Sequence, residues 1–349
     1  MTVTFVRTAA PDDARRRRPV PAVLAVLIAG VAVLAVAGAL SVAFGTRVVG
    51  WNELVSAFTG DGHGGIAEAA VRQRIPRTLL AMLVGASLGV AGAVLQGLTR
   101  NPLADPMILG VTPGASLAVV SGIAFFGLST ATGYIWVAIV GAALASAFVY
   151  AIGSLGRGGP TPLKLALSGA ATTAAFTSLI SAILLPRVDV LNSFRFWQVG
   201  GVGGATYTKL VQVLPFLIVG AIICIACSRG LNSLALGDEL ATGLGERVMM
   251  IRVVAFIGAV TLCGAATAVA GPIAFIGLVV PHVCRLLIGV DHRWLLPSSA
   301  LVGAILLTVA DVVGRVVARP SEIEVGIVTA IIGAPFFIYV VRRQKVRAL

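Results

Sequence analysis

RIPRTLLAMLVGASLGVAGAVLQGLTRNPLADPMILGVTPGA, residues 74–115, decides how this chain is read. Within it, residues 78–98 form an apolar run long enough to cross a bilayer as a helix, at about 1.5 Å per residue. A second apolar run opens at residue 107. Between the two stand Arg100, Asn101, Pro102, Asp105 and Pro106. Such groups are not left facing lipid. Each proline also disfavours helix at the residue before it. The stretch predicts a hairpin of membrane helices with a stiff, structured connection.

Composition points the same way. Of 349 residues, 58% are hydrophobic and 11% charged, with a mean hydropathy of +1.01. A soluble domain carries about 25% charged residues. The 41 glycines suit close helix packing in lipid. The net charge of +12 is not a nucleic-acid footprint, because the basic residues sit at the ends of apolar runs and form no stripe interleaved with aromatics. Cys224 and Cys227 have the spacing of a metal or redox pair, but their neighbours are apolar and no second pair or His follows. They read as small buried hydrophobes, and no metal site is expected.

Arg15 to Arg18 precede the apolar stretch 22–45, which is longer than the core of a signal peptide and reads as a first span. Ten spans fit: 22–45, 78–98, 107–126, 133–153, 164–185, 210–228, 249–269, 273–290, 296–316 and 324–341. With both termini in the cytoplasm, 17 Lys and Arg fall inside and 9 outside, which favours that orientation. The fold expected is an all-α polytopic membrane protein of about ten transmembrane helices. A basic cytoplasmic tail (1–19), a ten-helix domain (20–343) and a short cytoplasmic C-terminal tail (344–349) make up the chain. Ala81, Gly85, Gly89, Ala93 and Gly97 recur every four residues, as do Gly110, Gly114, Ala118 and Gly122. Each set makes a flat ridge for close approach of another helix, first of all within the chain.

Three polar features stand out. Arg74 and Arg77 flank Pro76 at the outer start of the second span, and Arg315 sits at the outer end of the ninth. They are either snorkelling interfacial arginines or a cationic docking surface for an acidic partner. Residues 231–245 carry Leu231, Leu234 and Leu236, then Leu240 and Leu244, around Gly237 and ahead of Gly245. This predicts two short amphipathic helices broken at Gly237, a compact cytoplasmic element suited to docking a protein. In the fifth span Thr173, Thr177 and Ser181 recur every four residues, with Ser168 and Thr172 on an adjoining line. They either bond the carbonyl four residues back or line an aqueous path. His282, after Pro281, reads as a cap at a helix end or as a proton relay. No P-loop, zinc-protease or nucleophile-elbow motif is present.

Residues 74–115, 231–245, GPIAFIGLVVPHVCR (271–285) and VGIVTAIIGAPFF (325–337) together resemble the FecCD/BtuC-type permeases of binding-protein-dependent ABC transporters for ferric siderophores, haem and cobalamin. The resemblance runs from about residue 22 to residue 343. It implies a cell-membrane subunit that pairs with a second permease, identical or paralogous. It implies cytoplasmic ATPase subunits and an extracytoplasmic binding protein as partners, with no cofactor. It assigns binding-protein docking to Arg74, Arg77 and Arg315, ATPase coupling to 231–245, and the path to the helix at 164–185. FRFWQVG (194–200) is more similar to the siderophore type, so an iron–siderophore substrate is expected, with a cobalamin or haem permease as the alternative. A proton-coupled secondary transporter or a non-transporting anchor are the readings from other classes. Two positions depart from the family pattern: Glu324, where Pro is usual, and Gly201, where Ser is common.

Overall fold

The computed structural model describes residues 19–47, 49–50, 56, 66–102, 104–106, 109–155 and 162–345. The expected tail at 1–19 falls outside these but for Pro19, as does 346–349 of the C-terminal tail. Among the described residues the helices are α1 (Val20–Ala43), α2 (Ile66–Thr99), α3 (Val111–Phe126), α4 (Ala131–Ser154), α5 (Pro162–Leu184), α6 (Val188–Val199) and α7 (Tyr207–Ala226), followed by α8 (Ser228–Leu234), α9 (Asp238–Gly243), α10 (Val248–Ala270), α11 (Ile276–Leu287), α12 (His292–Val317) and α13 (Val325–Lys345).

Seven of these, α1, α2, α4, α5, α7, α10 and α12, are long and apolar enough to cross a membrane. Three shorter apolar helices, α3, α11 and residues 325–340 of α13, coincide with the remaining expected spans. The difference lies in length, and its cause is local. α3 starts only after Gly110 at φ 76°, and α11 only after Phe275 at φ 68°. Both are left-handed residues that a continuous right-handed helix excludes. α2 departs the other way. It begins at Ile66, well before the expected residue 78, and carries Pro76 in its interior. A proline costs one intrahelical bond. Here the surrounding turns are held by tertiary bonds from Arg74 and Arg77.

α2 and α10 are the central helices. Their apolar windows are 78% and 67% buried, against 11% for α1. Both glycine ridges pack within the chain. On α2, a Cβ at Gly85 would run into the Gly303 carbonyl, one at Gly89 into the Ser299 backbone, and one at Gly97 into the His292 ring. All three partners lie on α12, so the two backbones run in direct contact and antiparallel. Gly114 of α3 and Gly141 of α4 meet in the same way. The connection at 100–110 is folded back into the bundle, with Ala104 and Asp105 buried. Backbone bonds from Asn101 to Gln96 and from Val111 to Pro106 tie it down. The antiparallel pair defines two ends. One gathers the start of α2 and the ends of α1 and α12. The other gathers the end of α2, the start of α12, α8, α9 and the start of α10.

Candidate functional site

At the first end the three singled-out arginines do converge, but they point inward. Arg74, Arg77 and Arg315 are 6%, 8% and 2% exposed. Arg77 donates to both Asp311 carboxylate oxygens, from Nε at 3.0 and 3.2 Å and from Nη2 at 2.7 Å, and its Nη1 reaches Glu322 at 2.7 Å. Arg315 faces the same carboxylate at 2.9 Å. Its Nη1 donates to the Ser41 and Phe44 carbonyls, and its Nη2 to the Ser41 hydroxyl. Arg74 donates to the carbonyls of Val42, Ala43 and Arg47. The last carbonyls of a helix lack partners within it and carry partial negative charge. α1 has no basic residue in its own last turn, so two arginines from elsewhere cap it. In the single chain the three guanidiniums thus face inward and not out to a partner. Burial of guanidiniums demands counter-charges and acceptors, and this end supplies them internally. Among the described residues, Arg47, Arg72, Arg319 and Glu322 are exposed charges at this end.

The two departures from the family pattern meet beside this cluster. A Cβ on Gly201 would collide with the Glu324 carboxylate, so the smaller residue makes room for the larger. Burial raises the Glu324 carboxyl above its ordinary value, against the opposing pull of Arg77.

The hydroxyls of α5 do not share one environment. Ser168 and Thr172 are buried, Thr173 is half-buried, and Thr177 and Ser181 are exposed. Thr172, Thr177 and Ser181 each donate to the carbonyl four residues back, and Ser168 donates to Val149 and Leu165. Such bonds satisfy a hydroxyl's donor in lipid, yet leave its oxygen free to accept from a passing ligand.

At the other end, the 231–245 segment forms α8 and α9, broken at Gly237 with φ 115°. Gly245, at φ 84°, closes α9 as the pattern requires. Its N–H bonds the Thr242 carbonyl, and the Glu246 N–H bonds that of Ala241. The leucines divide. Leu231 and Leu234 are fully buried against the bundle, whereas Leu236, Leu240 and Leu244 are exposed. Asp238 accepts from Arg100, after α2, and from Arg252 of α10. Asn232 donates to Asp291 at 2.6 Å and accepts from the backbone N–H of His292 at 2.9 Å. The segment is thus pinned to α2, α10 and α12.

These pinning residues escape a reading of the sequence, because each is an ordinary polar group until the fold places its partner. His282, expected at a helix end, lies mid-way along α11, with its ring and that of Phe336 in a T-shaped contact. Among the described residues no group of His, Cys, Asp and Glu is placed to hold a metal.

The chain is similar to known proteins over nearly its whole length. Residues 33–343 match the model of the FecCD transport family. A ferric enterobactin transport system permease protein of Escherichia coli, FepD, is 45% identical over 89% of this chain and 93% of its own length. The iron(3+)-hydroxamate import system permease protein FhuB of Bacillus subtilis is 42% identical over 97% of this chain and 88% of its own. A solved structure assigned to the metal-chelate type of ABC transporter, in an inward-facing conformation, superposes with a TM-score of 0.78 at 30% identity. That match covers 92% of this chain and 99% of the other.

Asp311→Asn leaves Arg77 and Arg315 buried around a neutral amide. The expected loss is about 3–5 kcal/mol, seen as a lower unfolding temperature of the detergent-purified protein. Arg319→Gln removes an exposed donor to the Gly45 carbonyl, and its cost is expected to stay within about 1 kcal/mol. Equal unfolding temperatures for Asp311→Asn and the parent would show that the cluster does not hold this end together.

Proposed function

The chain belongs to the FecCD transport family and is the multi-pass membrane permease of a binding-protein-dependent ABC importer for ferric siderophores or related iron chelates, and on that premise we propose how its two ends divide the work. Permeases of this family lack ATPase activity and work with ATPase and binding-protein partners. A proton-coupled carrier and a passive anchor are thereby set aside.

The α8–α9 end faces the cytoplasm together with both termini, and the arginine-cluster end faces outward. The excess of Lys and Arg on the α8–α9 side supports this orientation. The observation that carries the assignment is the split of the leucines. Leu231 and Leu234 root the segment, while Leu236, Leu240 and Leu244 stay exposed on a backbone fixed by Asp238 and Asn232. A rigid turn that presents three apolar anchors fits a groove on an ATPase subunit. Movement of that subunit is passed through the Arg100–Asp238–Arg252 bracket into α2 and α10, the central helices.

The path runs between two permease subunits, identical or paralogous, along the exposed face of α5. Thr177 and Ser181 lie on that face, and Thr173 borders it. Ser168 and Thr172 hold α5 to its own bundle. Docking of the binding protein falls to the exposed charges over the arginine cluster. Arg74, Arg77 and Arg315 act from beneath by fixing the end of α1 and the 318–324 loop.

Three measurements test these assignments. Leu240→Asp is expected to leave the permease inserted but to abolish co-purification of the ATPase and its ligand-stimulated turnover; normal values for both would move the coupling surface elsewhere. Reversing Arg47 and Arg319 together to Glu is expected to weaken capture of the binding protein about tenfold at low salt and less at high salt. Salt-independent, unchanged capture would remove the docking assignment. Thr177→Cys is expected to react with hydrophilic thiol reagents in at least one nucleotide state. Labelling no faster than at a lipid-buried cysteine in every state would leave Thr177 a carbonyl-bonded structural residue.

A further inference from the structure

A cavity of about 530 Å³ opens at the α8–α9 end, between the end of α2, the second half of α4, the start of α5 and the start of α10. It is of the size of a small-molecule site. The assignments above use two residues of its lining, Arg100 and Arg252, but not the cavity itself. Its walls are mostly aliphatic and aromatic, with Leu95, Leu98, Leu165 and Phe256 among them. Of its lining, Tyr150 on α4 and Met249 and Val253 on α10 are exposed. A soluble anion has no use for such walls, whereas an acyl chain does.

The polar groups gather in one place. Arg100 and Arg252 line the cavity and share the single carboxylate of Asp238, which leaves one positive charge in excess. The Nε of Arg252 is buried and has no hydrogen-bond partner. Ser146, only 2% exposed, also lines the cavity, and its hydroxyl is likewise unpartnered. Buried donors without acceptors are rare because each costs desolvation energy with no return. Two such donors in one basic, apolar-walled cavity with exposed residues on its α4 and α10 walls describe an amphiphile site. Basic pockets between membrane helices bind anionic lipid headgroups.

We propose that this cavity holds one anionic phospholipid. Its phosphodiester sits against Arg252 and Arg100 and accepts from the Ser146 hydroxyl, and its acyl chain lies along the wall between α4 and α10. A single phosphodiester charge neutralises the excess of the bracket. The lipid therefore sits beside the junction through which the α8–α9 segment meets α2 and α10. The proposal rests on the chain being a membrane permease, and not on the ATPase-docking assignment.

The test uses the intact importer complex in mild detergent, exposed to phosphatidylglycerol or phosphatidylcholine and read by native mass spectrometry. One phosphatidylglycerol per permease chain is expected to stay bound, with about tenfold preference over phosphatidylcholine. Ala147→Phe fills the cavity without touching the bracket, and Arg252→Gln removes the unpartnered donor. Both are expected to lose the bound lipid while still eluting as assembled complex. Arg72→Gln, at the opposite end, is expected to keep it. Equal retention of phosphatidylcholine by the parent would overturn the proposal, as would undiminished phosphatidylglycerol in Ala147→Phe and Arg252→Gln. Measuring ATPase co-purification on the same samples separates failure of the lipid site from failure of the coupling assignment.

Discussion

Asp311, a carboxylate held between two guanidiniums inside a helix bundle, is the constraint on which one whole end of this molecule depends. In a poorly polarisable interior neither an isolated Asp nor an isolated Arg is tolerable, and together they are tolerable only at close range. Arg77 must therefore come from α2 to meet Asp311 on α12. Arg315, one turn beyond Asp311 on α12, shares the carboxylate and turns its remaining donors on the last carbonyls of α1. Three helix ends and the loop that carries Glu322 are thereby fixed by one acid. Arg74 completes the cap of α1 from the other side.

The glycine ridge of α2 complements that arrangement. With Gly85 against Gly303 and Gly89 against Ser299, the backbones of α2 and α12 lie in contact at two successive turns. Close backbone contact leaves little slack, so the pair behaves as a strut between the ends. At its far end the strut meets α8 through Asn232 and His292, and α9 through Arg100 and Asp238. A partner that displaces α9 thus acts on the most buried helices in the subunit. On the proposed docking of the ATPase at α9, this is the route by which its motion would reach the path.

Several elements were plain from residue order. The apolar runs, the break at Gly237 and the two small-residue ridges each follow from local sterics or from spacing along one helix. The arginine motif was visible too, but its direction was not. Arg74 and Arg77 beside Pro76 look like the start of a helix at an interface. Only the positions of Asp311, Glu322 and the α1 carbonyls show that the helix runs through Pro76 and that its arginines face inward. Gly201 and Glu324 were each odd by themselves, and their meeting in space gives the reason for both.

The sequence by itself determined the class of the protein, the number and order of its apolar helices and the family to which it belongs. Those depend on hydrophobic length, on glycine and proline geometry and on contiguous motifs, all of which are local properties. The tertiary structure decided which polar residues are spent on holding the bundle and which remain free for partners. Leu231 and Leu240 are the same residue type in the same segment, yet one is buried against the bundle and the other is exposed. Burial and pairing depend on what arrives from distant parts of the chain, such as Asp311 for Arg77 or Arg100 for Asp238, and no local pattern records that.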